Sequence, residues 1–286
     1  NWDDHDLSHR YVARDIGYNY LQSALPNAIV MNYGDNDTFP LWYNQEVEGV
    51  RPDIRVMNLS YLGGDWYIEE QKSKMNDSDP VPFSLPRSKY VNRTNEMLLV
   101  QDLVGGDTVD IAQVMEFILS DSPRTQYQLD ENKSVDIVPA RHIAIPVNKE
   151  NVLASGIVRP EEAHLIADTL YLNITGNSLR KDEMMLLDLL AHFDWKRPLY
   201  FTQTLSLANL GLRDYMQFDG ACFRLVPIYT PQEQGTVTGA KVGRVDIDYL
   251  YPRLMGETRS GEPFEAAFRF GNIADKRTYA DSFIQN

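Results

Sequence analysis

Short unbroken apolar runs alternate along this chain with longer stretches of helical period. Residues 28–31 are apolar throughout and lie between Pro26-Asn27 and Gly34, which suits a strand covered on both faces. Behind Thr38, a candidate cap, Phe39, Trp42, Tyr43 and Val47 recur at helical spacing, and Gly49 ends that helix. Residues 54–59 supply the next apolar run. Strand, helix and strand so closely joined predict a βαβ unit, and with it a parallel sheet with right-handed crossovers.

The flanks extend the pattern. Residues 7–25 predict a helix with Tyr11, Ile16, Tyr20 and Leu21 as its buried stripe, stopped by Pro26. Residues 66–75 predict another, with Trp66, Tyr67 and Met75 inward. The Pro- and Asp-rich stretch 76–86 is a loop and the start of an insertion. Within the insertion, Asp110 caps an amphipathic helix over 110–119 that packs Ile111, Val114, Met115 and Ile118. Short strands are expected over 134–138, 142–147, near 156–158 and over 169–174. The helix 179–193 places Met184, Leu187 and Leu190 on one face and feeds a strand over 199–203. Residues 221–228 read as the last clear strand, with Pro227 implying an edge or terminal position. A polar loop or hairpin over 232–243, a helix over 246–255 and packing by Phe264, Phe268 and Phe270 complete the reading.

The fold class expected is therefore α/β: an open, mostly parallel Rossmann-like sheet with helices on both faces, plus an inserted α+β segment. Residues 1–76 form the N-terminal helix and βαβ half of the core, 77–165 the insertion, 166–230 the second half, and 231–286 a C-terminal extension.

Composition narrows the function. The 286 residues carry 43% hydrophobic side chains, enough for a sizeable core, and a formal charge of −14. That charge argues against a nucleic-acid or anionic-membrane surface. The single cysteine, Cys222, excludes an internal disulfide and any Cys-based zinc site, and its apolar flanks suggest core packing. No apolar run is long enough for a membrane span. The sequence begins at Asn1 without an initiator Met, as a piece of a longer protein would, and an anchor or the chemistry is expected in the part beyond it.

The usual nucleotide, metalloprotease and hydrolase motifs are missing. Asp3, Asp4, His5 and Asp6 could bind a divalent metal, or they are helix-start chemistry with Asp6 as cap. His142, His164 and His192 have no sequence-near partner for a metal pair. Ligand crevices in open parallel sheets lie beyond the carboxyl ends of the strands, where two turns fall here. The first carries Gly34, Asp35, Asn36 and Asp37; the second carries Ser60, Tyr61, Gly63, Gly64 and Asp65. The exit of the strand 199–203 brings Thr202, Gln203 and Thr204 to the same edge. Asp35 and Asp37 around Asn36 could hold Ca²⁺ or Mg²⁺ or accept from sugar hydroxyls; alternatively the turn is an Asx-rich cap. Trp42, Tyr43, Trp66 and Tyr67 nearby suit a carbohydrate and equally an aromatic core. No organic cofactor is expected, and a divalent cation is the one possible cofactor.

The runs NWDDHDLSHRYVARD and NAIVMNYGDNDTFPLWYNQEVEGVRPDIRVMNLSYLGGDWYIEEQ, with RPLYFTQ and FRLVPI later, closely resemble the soluble C-terminal region of a family of large multi-pass membrane proteins of Bacteroidetes. That family, a domain of unknown function, is similar to a eukaryotic transmembrane protein O-mannosyltransferase. The resemblance implies a membrane domain ahead of Asn1, in the inner membrane, with this region periplasmic. In such enzymes the catalytic acid belongs to the helical membrane domain, so no catalytic residue carries over. Only Asp35–Asp37, Trp42 and Asp65 match a family motif. Three readings follow: an extracytoplasmic domain of a membrane glycosyltransferase that binds acceptor protein or glycan at Asp35, Asp65 and Thr202; a metal-dependent hydrolase or transferase using Asp35 and Asp37; or a structural or dimerisation module.

Overall fold

A computed structural model describes residues 11–131, 133–203, 209–231 and 243–271. The chain opens on α1 (Val12–Ser23) and runs through β1 (Ile29–Asn32), α2 (Asp35–Glu46), β2 (Arg55–Asn58) and α3 (Asp65–Gln71). Its middle contributes β3 (Met97–Val100), β4 (Thr108–Asp110), α4 (Ile111–Leu119), β5 (Gln126–Asp130), β6 (Lys133–Val138), β7 (His142–Pro146), α5 (Lys149–Ala154), β8 (Thr169–Asn173) and β9 (Ser178–Arg180). Then α6 (Lys181–His192) feeds β10 (Leu199–Phe201), followed by β11 (Met216–Phe218), β12 (Phe223–Leu225), β13 (Arg244–Val245) and α7 (Ile247–Met255).

The main sheet has the order β13-β11-β12-β10-β1-β2. β2, β1 and β10 run parallel, as the βαβ reading requires. β12 is antiparallel to β10 and to β11, while β11 pairs parallel with β13, so the sheet is mixed but mostly parallel, with β12 running against the other strands. Every residue of β1 is buried, and the two faces feed different cores. Ile29 and Met31 pack with α4 and α6, while Val30 packs with Leu21 of α1 and Leu41 of α2. Helices therefore cover both faces, and the unbroken apolar runs follow from that double burial. The middle of the chain forms two smaller sheets, β5-β6-β3-β9 and β4-β7-β8. Their inward residues, including Leu98, Ile143 and Leu170, join the same core as Ile29 and Met57.

Several expectations need correction. In α1 the buried face is Gly17, Tyr18 and Leu21; Tyr11 and Ile16 are exposed and Tyr20 is half-buried. The reason is a close approach to α2. A Cβ at Gly17 would lie 2.4 Å from the Pro40 carbonyl oxygen, and Asn44 Nδ2 ties the two helices by donating to Arg14 O at 2.8 Å and Pro40 O at 2.7 Å. Because the clash is with backbone, Gly17→Ala is expected to cost about 1–3 kcal/mol, read as a lower denaturant midpoint at unchanged slope. Wild-type stability in this variant would show that the helices separate freely.

The same contact turns α2 over. Its buried residues are Thr38, Leu41, Asn44 and Gln45, so Phe39, Tyr43 and Val47 face outward. Thr38 is not a cap: the helix starts at Asp35, Gly34 precedes it at φ 92°, and Thr38 is buried in its first turn. In α3, Tyr67 is buried but Trp66 is 65% exposed, and the helix ends before Met75, which is half-buried. Residues 156–158 form no strand; Gly156, at φ 71°, turns the chain after α5 while Ile157 and Val158 are buried. α6 is buried from Lys181 to Leu190 on all sides, not on one face. β12 is an interior strand rather than an edge, Pro227 lies past its end in keeping with the terminal alternative, and β13 follows it.

The tail packs back through half-buried Phe264 and Phe268, whereas Phe270 is 53% exposed. Cys222 is a free, fully buried thiol, as core packing predicts. The acidic N-terminal cluster 3–6, Thr204 and nearly all of the 232–243 loop lie outside the described residues.

Candidate functional site

The chain leaves β1 through α2 toward β2 on one side and leaves β10 toward β11 and β12 on the other. The carboxyl ends of β1 and β10 thus flank the point where connections diverge, the usual place for a ligand crevice. The triplet Val-Met-Asn closes both β1 and β2, and the register pairs Asn32 with Asn58. Thr202 follows β10 at the same level, its N–H donating to Met31 O at 3.0 Å. The row Asn58, Asn32, Thr202 is at most 8% exposed.

The first turn of α2 closes over this row. The Thr38 hydroxyl lies 2.7 Å from Asn32 Oδ1 and 2.8 Å from Gly34 O, and accepts from Asn58 Nδ2 at 2.9 Å. Asn58 Oδ1 in turn accepts from the Ser60 hydroxyl at 2.6 Å and the Ser60 N–H at 2.9 Å, which fixes the second turn. Paired buried asparagines at matching strand ends are the signal in the sequence that points to this lock.

The acidic turn splits. Asp37 is half-buried and accepts from Thr202 Oγ1 at 3.1 Å. Burial holds its carboxyl above the usual carboxylate range, and the Thr202 bond pulls the other way. Asp35 is exposed and accepts from the Tyr61 hydroxyl at 2.5 Å, a bond that raises the Tyr61 phenol. Asp35 therefore serves the β2 side and Asp37 the β10 side. Asn36 is exposed between them, and Gln203 is half-buried behind Thr202. Among the described residues, no three His, Cys, Asp or Glu side chains gather as a metal would need. Asp65 turns away from both: its carboxylate lies 3.3 Å from buried Lys181 Nζ and accepts from Asn92 N at 3.0 Å, pinning α3 to the start of α6.

What the structure does bring together is aromatic. Phe39, Trp42, Tyr61 and Trp66 follow one another at ring-centroid distances of 5.9, 6.3 and 6.4 Å. Phe39 is 51% and Trp66 65% exposed, while Trp42 and Tyr61 are half-buried. A strip of connected rings thus crosses from α2 to α3 on the surface, with Asp35 hydrogen-bonded at its middle. Tyr61 is the joint, fastened to Asp35 by its hydroxyl and seated edge-on against buried Tyr67 at 5.5 Å. The candidate residues Asp35, Trp42 and Trp66 meet through Tyr61, whereas Asp37 and Thr202 form a second, smaller group. Phe39 enters the strip because α2 is turned outward, and Tyr61 because the Asn58–Ser60 bonds fix the second turn beside it.

No curated protein and no solved structure matches the chain. Among the described residues no helix is long and apolar enough to cross a membrane. The family model described as TMEM260-associated domain 2 matches residues 13–249, which spans the main sheet, the aromatic strip and the Asp37–Thr202 crevice. The chain belongs to the TMEM260-associated domain 2 family.

Proposed function

We propose that this chain is the extracytoplasmic, non-catalytic domain of a membrane-embedded glycosyltransferase-like protein, and that it holds a glycan, or an acceptor carrying one, on the ring strip. In this reading the multi-pass domain precedes it in the same chain, in the inner membrane, and this domain is periplasmic, as in the Bacteroidetes family it resembles. The observation that carries the reading is the exposed strip Phe39–Trp42–Tyr61–Trp66 with Asp35 bonded at its centre. Ring faces take the apolar face of a sugar, and carboxylate and amide oxygens accept from its hydroxyls. An ordinary aromatic core would bury these rings; here Phe39 and Trp66 stand in solvent.

The test is a thermal-shift titration of this chain with neutral oligosaccharides, and separately with Ca²⁺, Mg²⁺ and Mn²⁺. A sugar that binds only the folded state raises the midpoint with concentration. The shift is expected to vanish in Trp66→Ala and weaken in Asp35→Ala, with the unliganded midpoint little changed because both side chains are exposed. A response to the metals alone, lost in Asp35→Ala or Asp37→Ala, would replace this reading with metal-dependent chemistry at the turn. No response to any ligand would leave a structural module.

A further inference from the structure

At the end of the main sheet opposite the crevice, two arginines are buried side by side. Arg55 opens β2 and is 1% exposed; Arg197 precedes β10 and is 8% exposed. They share acceptors. Arg55 Nε donates to Ser78 Oγ at 3.3 Å and Arg197 Nη2 to the same oxygen at 2.9 Å. Arg55 Nη2 and Arg197 Nη1 each donate to Asp79 O at 2.9 Å. The other bonds of both guanidiniums go to uncharged oxygens, including Ser73 O at 2.8 Å and Asn27 O at 2.8 Å.

Two adjacent positive charges inside a protein need a counter-charge, because burial removes the water that would otherwise screen them. The nearby carboxylates do not supply one directly. Asp53 faces Arg197 but is engaged by Arg51 at 2.8 and 2.9 Å and by Asn27 N at 2.8 Å. Asp79 and Glu70 are exposed and act only through space. Burial and the charge of Arg55 together lower the Arg197 guanidinium to about 10.

Orphaned polar atoms mark the same junction. Arg55 Nη1 is buried without a partner, and so are both side-chain amide atoms of Gln71. Gln71 closes α3 directly ahead of the loop that the arginines hold, and its carbonyl accepts from Val81 N at 2.9 Å. Two buried donors, Arg55 Nη1 and Gln71 Nε2, thus lack an acceptor at a junction where no carboxylate bonds either arginine.

We propose that the junction of β2, α3 and the 72–81 loop binds a small monovalent anion of the chloride class, held by Arg55 Nη1 with Arg197 as second charge. Arg55 is 1% exposed, so the anion proposed is a small one. The anion neutralises the pair and locks the first loop of the middle segment onto the sheet.

The first measurement uses the intact chain: the thermal midpoint as sodium chloride replaces sodium gluconate at constant ionic strength. The midpoint is expected to rise with the logarithm of chloride and to do so with bromide as well. Equal midpoints in chloride and gluconate would overturn the proposal. A crystal grown in bromide tests it without a variant: an anomalous peak within contact of Arg55 Nη1 is expected, and an ordinary water there would sink the idea. Arg55→Met should abolish the halide response; if that variant does not fold, the bromide peak decides.

Discussion

Arg224→Met should cost about 3–5 kcal/mol of folding stability at neutral pH. Arg224 is 3% exposed on interior strand β12, with its Nε 2.9 Å from Asp219 Oδ2 and its Nη2 3.4 Å from Asp246 Oδ2. Asp219 is fully buried and also accepts from Tyr200 OH at 2.9 Å and Gln217 Nε2 at 3.0 Å. Removing the guanidinium leaves Asp219 buried without its counter-charge, while Asp246 keeps Arg159 Nη2 at 3.4 Å. Burial already holds Asp219 above the usual carboxylate range, with Arg224 the chief opposing influence. A raised folded-state pKa contributes stability at low pH that is lost as pH rises through it, and losing Arg224 raises it further. The penalty should therefore shrink as pH falls from neutral toward the unfolded carboxylate value of about 3.9. Urea unfolding at several pH values reads this directly, and adding Asp219→Asn should recover part of the loss. A pH-independent loss, with no recovery in the double variant, would mean that packing rather than charge explains Arg224.

Asp188→Ala should cost about 3 kcal/mol. Asp188 is fully buried in the middle of α6 and takes the backbone N–H groups of Ser84 and Leu85 at 2.8 and 3.1 Å and the Ser84 hydroxyl at 2.7 Å. A carboxylate inside a helix thereby satisfies a loop more than a hundred residues away that has no strand to bond with. Its loss leaves two amides unpaired, whereas Asp188→Asn keeps an acceptor for them and should be milder. The same carboxylate lies 3.1 Å from His192 Nδ1 and raises the imidazole's pKa. That contribution is fully present below the unfolded histidine value of about 6.5 and fades as pH rises through the folded one. The cost of Asp188→Ala should accordingly be greater at pH 6 than at pH 8. His192→Gln should remove that difference, and an unchanged difference would assign it elsewhere.

Elements whose burial is uniform were legible in the residues. β1 is buried at every position, and a continuous apolar run announces that without knowing its neighbours. α4 was equally plain, with Asp110 accepting from Ala112 N at 2.8 Å and the four predicted residues buried. The juxtaposition of Thr202 with the acidic turn followed from strand order, since parallel strands deliver their exits to one edge. The roles of α2 and α3 did not follow. Three aromatics and Val47 at helical spacing look like a core stripe, and Trp66 beside Tyr67 looks like its continuation.

Local sequence fixes which residues share a face, through the 3.6-residue period and the caps, and it fixed here the βαβ unit and the edge where a site could form. Which face is buried is a contest between elements distant in sequence. For α2 it was decided by Gly17, whose missing Cβ lets α1 come within contact of the Pro40 carbonyl, and by Asn44, which bridges the two backbones. Once that face is taken, Phe39 and Tyr43 have only the solvent side left, and Trp42 sits half-buried between core and surface. Tyr61 and Trp66 meet them there because Asn58 and Ser60 lock the second turn beside the first. The identity of the strip's residues was in the sequence; that they form one exposed surface rather than a core was settled by tertiary packing alone.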